Sequence, residues 1–250
     1  RLEQGDRRHG ALLYRPTCAE CHACEAIRLD VSAFKLRPHH KRVLRNGDKV
    51  LRVELGPPLS DRERVQLFER HKRLRGLESP SARPITMLSY QRFLVDRLCG
   101  SFEMRYYHEG RLVGVAVTDK GEKALSAVYC YYDPELPKLS LGTYSILKQL
   151  ELAKRCAADA SLAAPLLPGR SEIVAQVDWA LDQELAHSLS DVLTRRTQLF
   201  YKDTNQGLDC AEAIAQRMAK RLGWDDARVA TELATYREDV ARSRAWQQEI

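Results

Sequence analysis

Cys18, Cys21 and Cys24 stand at two-residue intervals and carry the sharpest chemical signal in the sequence. Thiolates so spaced converge on one centre, which points to zinc or an iron–sulfur cluster. Cys99, His9, His22 or a residue outside this sequence would complete the ligand set; three cysteines in a tight loop without metal are the plain alternative. A second group is basic: Arg7, Arg8 and His9, then Arg37, His39, His40, Lys41, Arg42 and Arg45. Guanidinium and ammonium groups match phosphate oxygens in charge and geometry, so Arg7, Arg8, Lys41 and Arg42 are candidate phosphate contacts, unless the run is only a solvated loop. The third group joins Tyr132-Asp133-Pro134 to Ser140-Leu141-Gly142-Thr143. A helix starting there offers free N–H groups and its positive dipole end to an anion, with Gly142 at the approach. Tyr132, Asp133, Ser140 and Thr143 are the candidates for catalysis. Against this stands a reading as packing plus a turn, with Asp133 a cap.

Several elements must position these groups. Residues 1 to 55 read as irregular, with short extended stretches such as Ala26 to Val31, and Pro57-Pro58 closes them. Ser60, with Glu63 three residues on, predicts a capped helix ending at Gly76, and a second helix falls near Ser89 to Leu98. A meander follows: Phe102–His108, Leu112–Thr118 and Leu125–Tyr132, separated by turns at Glu109-Gly110 and Lys120-Gly121. A helix near Thr143 has Ile146, Leu147, Leu150 and Ala153 as its apolar stripe. Such a helix normally returns to a parallel strand, but the alanine- and proline-rich stretch Ala157–Pro168 comes next and reads as a linker. Beyond it three stripes predict helices: Ile173, Val177, Leu181, Leu185, Leu189 and Val192; then Ile214, Met218 and Leu222; then Val229, Leu233, Tyr236 and Val240. The charged patch from Asp191 to Thr197 assembles no catalytic group and reads as structural.

The 250 residues carry 40 Lys and Arg against 34 Asp and Glu, a net +6, and that total conceals a split. Up to Arg155 there are 29 basic and 19 acidic side chains, net +10; the remainder has 11 and 15, net −4. Six of the seven histidines fall in the first part. A basic piece with nearby aromatics is compatible with nucleic acid. The 44% hydrophobic share excludes wholesale disorder, and no apolar run has the length of a membrane span. With no secretory signal segment, the seven cysteines read as reduced thiols or metal ligands in the cytoplasm.

The first 155 residues resemble the arginyl-tRNA–protein transferase family, including its bacterial leucyl-transferring branch. The likeness lies in Gly5-Asp6-Arg7-Arg8-His9-Gly10, in Tyr14-Arg15-Pro16-Thr17-Cys18 through Cys24, and in Ile27 to Phe34. It returns in Gly110 to Asp119 and Ser126 to Tyr129, and is most specific in Tyr132-Asp133-Pro134 with Ser140 to Leu147. This resemblance implies an aminoacyltransferase on an acetyltransferase-like core. Such an enzyme moves Arg or Leu from charged tRNA to the α-amine of proteins with acidic N-termini, marking them for degradation in the N-degron pathway. No cofactor is required for that transfer. Positioning, amine deprotonation and oxyanion stabilisation would be the protein's contributions.

Residues 161–250 resemble a different family, the C-terminal helical domain of FAD-dependent glycerol-3-phosphate dehydrogenase, through Pro168 to Val177, Asp191 to Thr197 and Leu222-Gly223-Trp224-Asp225. The flavin-binding glycine fingerprint is nowhere in the sequence, so FAD is not expected. The resulting expectation is an α+β fold: a truncated acetyltransferase-like (GNAT-like) mixed sheet with helices, then an all-helical cap. Its parts are a Cys/Arg-rich region 1–56, an acetyltransferase-like region 57–155, a linker 156–168 and a helical domain 169–250. The expected partners are aminoacyl-tRNA and acceptor proteins with acidic N-termini, with no membrane. The junction near residue 157 also permits a second reading, a non-catalytic tRNA- or protein-binding remnant or a fusion artefact carrying the cap.

Overall fold

The valine-rich run Arg111–Lys120 pairs with a strand on each edge, and its alternating side chains supply apolar surface to both faces. In the computed structural model, which describes residues 6–21, 26–78, 83–97, 99–121 and 124–245, this run is the strand β5. Chain order is β1 (Arg7–His9), β2 (Leu12–Tyr14), α1 (Pro38–Asp48), β3 (Leu51–Gly56), α2 (Arg62–Leu74), α3 (Met87–Tyr90), β4 (Ser101–His108), β5 and β6 (Leu125–Tyr132). Helices follow: α4 (Leu141–Ala158), α5 (Val174–Gln183), α6 (Leu199–Lys202), α7 (Leu208–Leu222) and α8 (Asp226–Arg244). The class is α+β. Four strands lie in the order β3-β4-β5-β6, with β4–β5 and β5–β6 antiparallel as the turns of the meander require. Among the described residues no strand follows α4.

The chain divides into two compact units, Arg1–Val53 with Pro58–Asp159, and Glu54–Pro57 with Ala160–Ile250. In the first unit α2, α3 and the turn at Gln91–Val95 cover one sheet face: Val65 and Phe68, Tyr90, and Leu94 pack with Val115, Val117 and Tyr131. Tyr144 of α4 meets Tyr106 of β4 edge-on at 5.7 Å. Helix α1 lies against α4 at Gly47, where any Cβ would fall 2.3 Å from the buried Tyr144 ring. Tyr144 also donates to Asp48 at 2.8 Å. The β1–β2 hairpin docks beside the wide helical turn Gln91–Val95, with Gly10 N–H bonded to Phe93 O at 2.9 Å. The described residues 6–21 and 26–53 fall in the same unit as β4, β5 and β6.

Other expectations moved. The predicted irregular region contains α1 and β3; α1 escaped notice because only Val43 and Leu44 of its 11 residues are strongly apolar. The cap of α2 is Asp61, whose carboxylate accepts Arg64 N–H at 2.9 Å, while Ser60 donates instead to Met87 O. In the stripe of α4, Leu147 and Leu150 are buried but Ile146 is exposed. The supposed linker is structured: α4 continues to Ala158, a 3-10 turn spans Ala160–Ala163, and Leu162 and Leu167 are buried.

In the second unit α5, α7 and α8 close a core around Val177, Leu189, Val192, Ile214, Met218 and Leu233. Leu185 leaves the expected stripe; α5 has ended, its φ is +53°, and its side chain is exposed. No helix among the described residues is long and apolar enough to cross a membrane.

Candidate active site

A cleft of about 780 Å³ opens in the first unit along the outer edge of β6 and the start of α4. It brings together Tyr132, Asp133, Ser140, Gly142 and Thr143, five of the sequence candidates, with Arg75 on its wall. The rest of its lining is largely apolar, from Val128 on β6 to Leu136 and Ile146. The β5–β6 register slips between Val117 and Thr118, opposite Val128, which bends the strand that borders the cleft.

Helix α4 begins sharply. Ser140 holds a left-handed φ of +47°, and Tyr144 N–H bonds back to Ser140 O at 2.9 Å. The N–H groups of Leu141, Gly142 and Thr143 precede that first bond and have no intrahelical acceptor. They and the dipole of an 18-residue helix make this end attractive to negative charge. Gly142 lies close under Tyr132: an added Cβ would stand 3.3 Å from the ring, a tight approach.

Tyr132 is held on its other side by His71, their rings 4.8 Å apart and edge-on. His71 Nδ1 lies 2.8 Å from Tyr132 O, and Arg75 Nη1 donates to the Tyr132 hydroxyl at 3.2 Å. Burial lowers the His71 pKa and the nearby Arg75 charge adds to this, against the Tyr132 backbone bond, so its ring stays neutral at neutral pH. Asp133 is a buried anion between two cations: Arg111 Nη1 at 2.8 Å and Arg70 Nε at 3.2 Å, with Glu135 N–H at 3.1 Å. Burial pushes its pKa up, but these bonds outweigh it and hold the carboxyl below its ordinary range. A carboxylate so stabilised is a poor base. These bonds tie Asp133 to α2, to β5 and to the segment that leads to Ser140.

Cys130 is the thiol among the described residues of the lining. The Cys130 thiol is pushed up to about 11 by burial, far from a thiolate at neutral pH. What the walls supply is a shaped apolar floor, backbone donors and a phenol, which suits positioning and charge stabilisation.

The basic candidates separate. Arg7, Lys41 and Arg42 are exposed, but Arg8 is buried. Its Nε donates to Asp119 at 2.7 Å and its Nη1 to Gly10 O and Asp96 O, tying β1 to β5. Arg8 is thus a structural cation, and the phosphate role drawn for it from clustering is corrected. Cys18 and Cys21 are exposed free thiols whose backbones meet in an isolated antiparallel β-bridge; Cys24 lies outside the described residues. Sequence reasoning missed His71, Arg70, Arg75 and Arg111, since nothing in α2 or the start of β5 signals that they converge on residues 132–133.

Comparison of the sequence with known proteins points to a family for the residues that build this cleft. Residues 1–42 match the family model for the N terminus of arginine-tRNA-protein transferase, and residues 63–166 that for its C terminus. Across these residues the chain is similar to the arginine-tRNA–protein transferase family. Similar relatives are aspartate/glutamate leucyltransferases: one from Pseudoalteromonas atlantica, 37% identical over 62% of this chain and 65% of its own length, and one from Halorhodospira halophila, 38% identical over 63% and 66%. Another from Ruegeria pomeroyi is 35% identical over 61% and 56%. The chain thus spans about two thirds or less of the relatives it matches. Residues 145–229 match a second model, the C-terminal domain of alpha-glycerophosphate oxidase. The transferase part carries the whole cleft, and the two matches overlap within α4 and the turn after it.

Proposed function

We propose that this chain is an aminoacyl-tRNA–protein transferase, moving an amino acid from charged tRNA to the α-amine of an acceptor protein. One observation carries the reading: Tyr132, Asp133, Ser140, Gly142 and Thr143, all inside the stretch that matches the transferase model, line a single cleft beside the free backbone donors that start α4. In the reaction the neutral amine attacks the ester carbonyl and forms a C–N bond. The C–O bond to the ribose then breaks; the amine loses a proton, and the leaving ribose oxygen gains one. Leucine suits the apolar cleft better than arginine, because the cleft's carboxylate, Asp133, is committed to Arg70 and Arg111. The relatives' names point to the same donor, and to acceptors beginning with Asp or Glu. Exposed Arg7, Lys41 and Arg42 would meet tRNA phosphates, with affinity falling as salt rises.

Leucine is expected to pass from leucyl-tRNA to a peptide with N-terminal Asp or Glu. Absence of transfer from both leucyl- and arginyl-tRNA, in folded protein, removes the proposal. The oxidase-like match that begins inside α4 favours one rival, a binding remnant, which tRNA binding without transfer would support. Transfer requires no cofactor, flavin included, and the setting proposed is the cytoplasm. For the cysteines we propose zinc or an iron–sulfur centre held by Cys18, Cys21 and Cys24. Elemental analysis is expected to find metal in the wild type and a clear loss in Cys21→Ser; equal content in both removes the site.

A further inference from the structure

The charges around the cleft do not cancel. Two charged residues line it, Asp133 and Arg75, among the described residues. Asp133 is neutralised by Arg70 and Arg111, and Arg70 is shared with Glu135, so that group of four sums to zero. Arg75 has no such partner: among the described residues its contact is the neutral Tyr132 hydroxyl at 3.2 Å, and no carboxylate lies in ion-pair range of it. The residue stands at the C-terminal cap of α2, exposed, ahead of Gly76, whose φ of +63° turns the chain away. A guanidinium with one of five N–H donors engaged presents a two-pronged face to a carboxylate.

We infer that Arg75 is the specificity-determining residue that receives the acidic side chain of the acceptor's first residue. This rests on the transfer reading above. The site is polarised in a way that fits: the backbone donors of Leu141, Gly142 and Thr143 suit the donor's carbonyl or terminal phosphate, leaving the lone side-chain cation for a second anion. Tyr132, clasped between His71 and Gly142, fixes the guanidinium at the cleft wall through its hydroxyl. A positive charge beside the acceptor also disfavours protonation of its α-amine, which must be neutral to attack.

The test separates binding from transfer. Short peptides beginning with Asp or with its neutral isostere Asn are titrated, by calorimetry without tRNA, against the wild-type chain and Arg75→Gln, Arg75→Lys and Arg75→Glu. Wild type is expected to favour Asp by about 10-fold, the low end for a hydrogen-bonded charge at an exposed guanidinium. Arg75→Gln brings that ratio close to one, Arg75→Lys restores part of it, and Arg75→Glu favours a peptide beginning with Lys. The side chain is exposed, so all three variants should melt with the wild type. An Asp-to-Asn ratio unchanged in Arg75→Gln overturns the inference. So does a loss of leucyl-tRNA affinity in Arg75→Gln with the peptide ratio intact, which would give Arg75 to a phosphate. The titration needs no turnover, so a failed transfer assay beside a shifted ratio would defeat the transfer reading and leave the Arg75 contact standing.

Discussion

Asp133→Ala is expected to lower transfer by at least about a hundredfold and to destabilise the first unit by about 3 kcal/mol. The side chain is fully buried and accepts from Arg70, Arg111 and the Glu135 N–H at once. Its loss leaves the Glu135 N–H unsatisfied and two cations facing each other. Hydrogen bonds to a charged group contribute roughly 1.5–3 kcal/mol each, but both arginines are partly exposed and rehydrate, so the sum is discounted. The larger consequence is geometric. Asp133 anchors the segment that leads to Ser140 and the start of α4, and a misplacement of about 1 Å in a positioning site costs on the order of a hundredfold. Asp133→Asn, which keeps shape and loses charge, should fall between. Its acid limb carries a second signature. The carboxyl is held below its ordinary value of 3.8, so its contribution is fully present above that value and is lost as pH falls through the folded pKa. The wild type should therefore lose stability in acid more steeply than Asp133→Asn. Chemical denaturation at several pH values, with single-turnover transfer, checks both. Wild-type rates in a folded Asp133→Ala protein would refute the anchoring role.

Arg8→Ala should prove the costlier arginine change for the fold, and Arg7→Ala the costlier for nucleic acid, although the two are neighbours in sequence. Side-chain exposure is 2% for Arg8 and 0% for Asp119, its partner. Removing one member of a buried pair leaves the other uncompensated, at about 3–5 kcal/mol. Asp119 keeps a bond from Ser101 Oγ at 2.5 Å, which places the expected cost toward the lower figure. Loss of Arg8 also frees the carbonyls of Gly10 and Asp96 and loosens the hairpin from the turn at Gln91–Val95. Arg7, exposed on the same strand, should change stability by less than about 0.5 kcal/mol. Its removal should instead reduce the slope of tRNA affinity against salt by about one contact. Urea midpoints and filter binding over a salt series distinguish them. An unmoved midpoint in Arg8→Ala, or a salt slope that changes there and not in Arg7→Ala, contradicts this division.

How far the site could be read in advance depended on which atoms make it. The start of α4 was visible because one local segment, Ser140 to Thr143, supplies every backbone donor. The three strands of the meander were visible too, since β propensity and the two turns are local signals. Arg70, Arg75 and His71 were not. They stand 63, 57 and 61 positions from the groups they contact at residues 132 and 133, and no periodicity encodes a contact across that span. Arg8 shows the converse. It belongs to a conspicuous basic cluster, yet burial against Asp119, 111 residues away, turns a surface-like charge into a brace.

By itself the sequence determined the α+β class, the family likeness of the first part, the helical character of the second and the charge difference between them. Those properties follow from local pattern and composition, which a linear string contains in full. Tertiary structure decided which charges are spent and which remain available. Asp133 and Arg8 are bound into the framework, while Arg75 keeps an open guanidinium on the cleft wall. That choice depends on desolvation and on partners brought together only by folding, because a charge is neutralised by what lies within a few ångströms and not by what is adjacent in the chain.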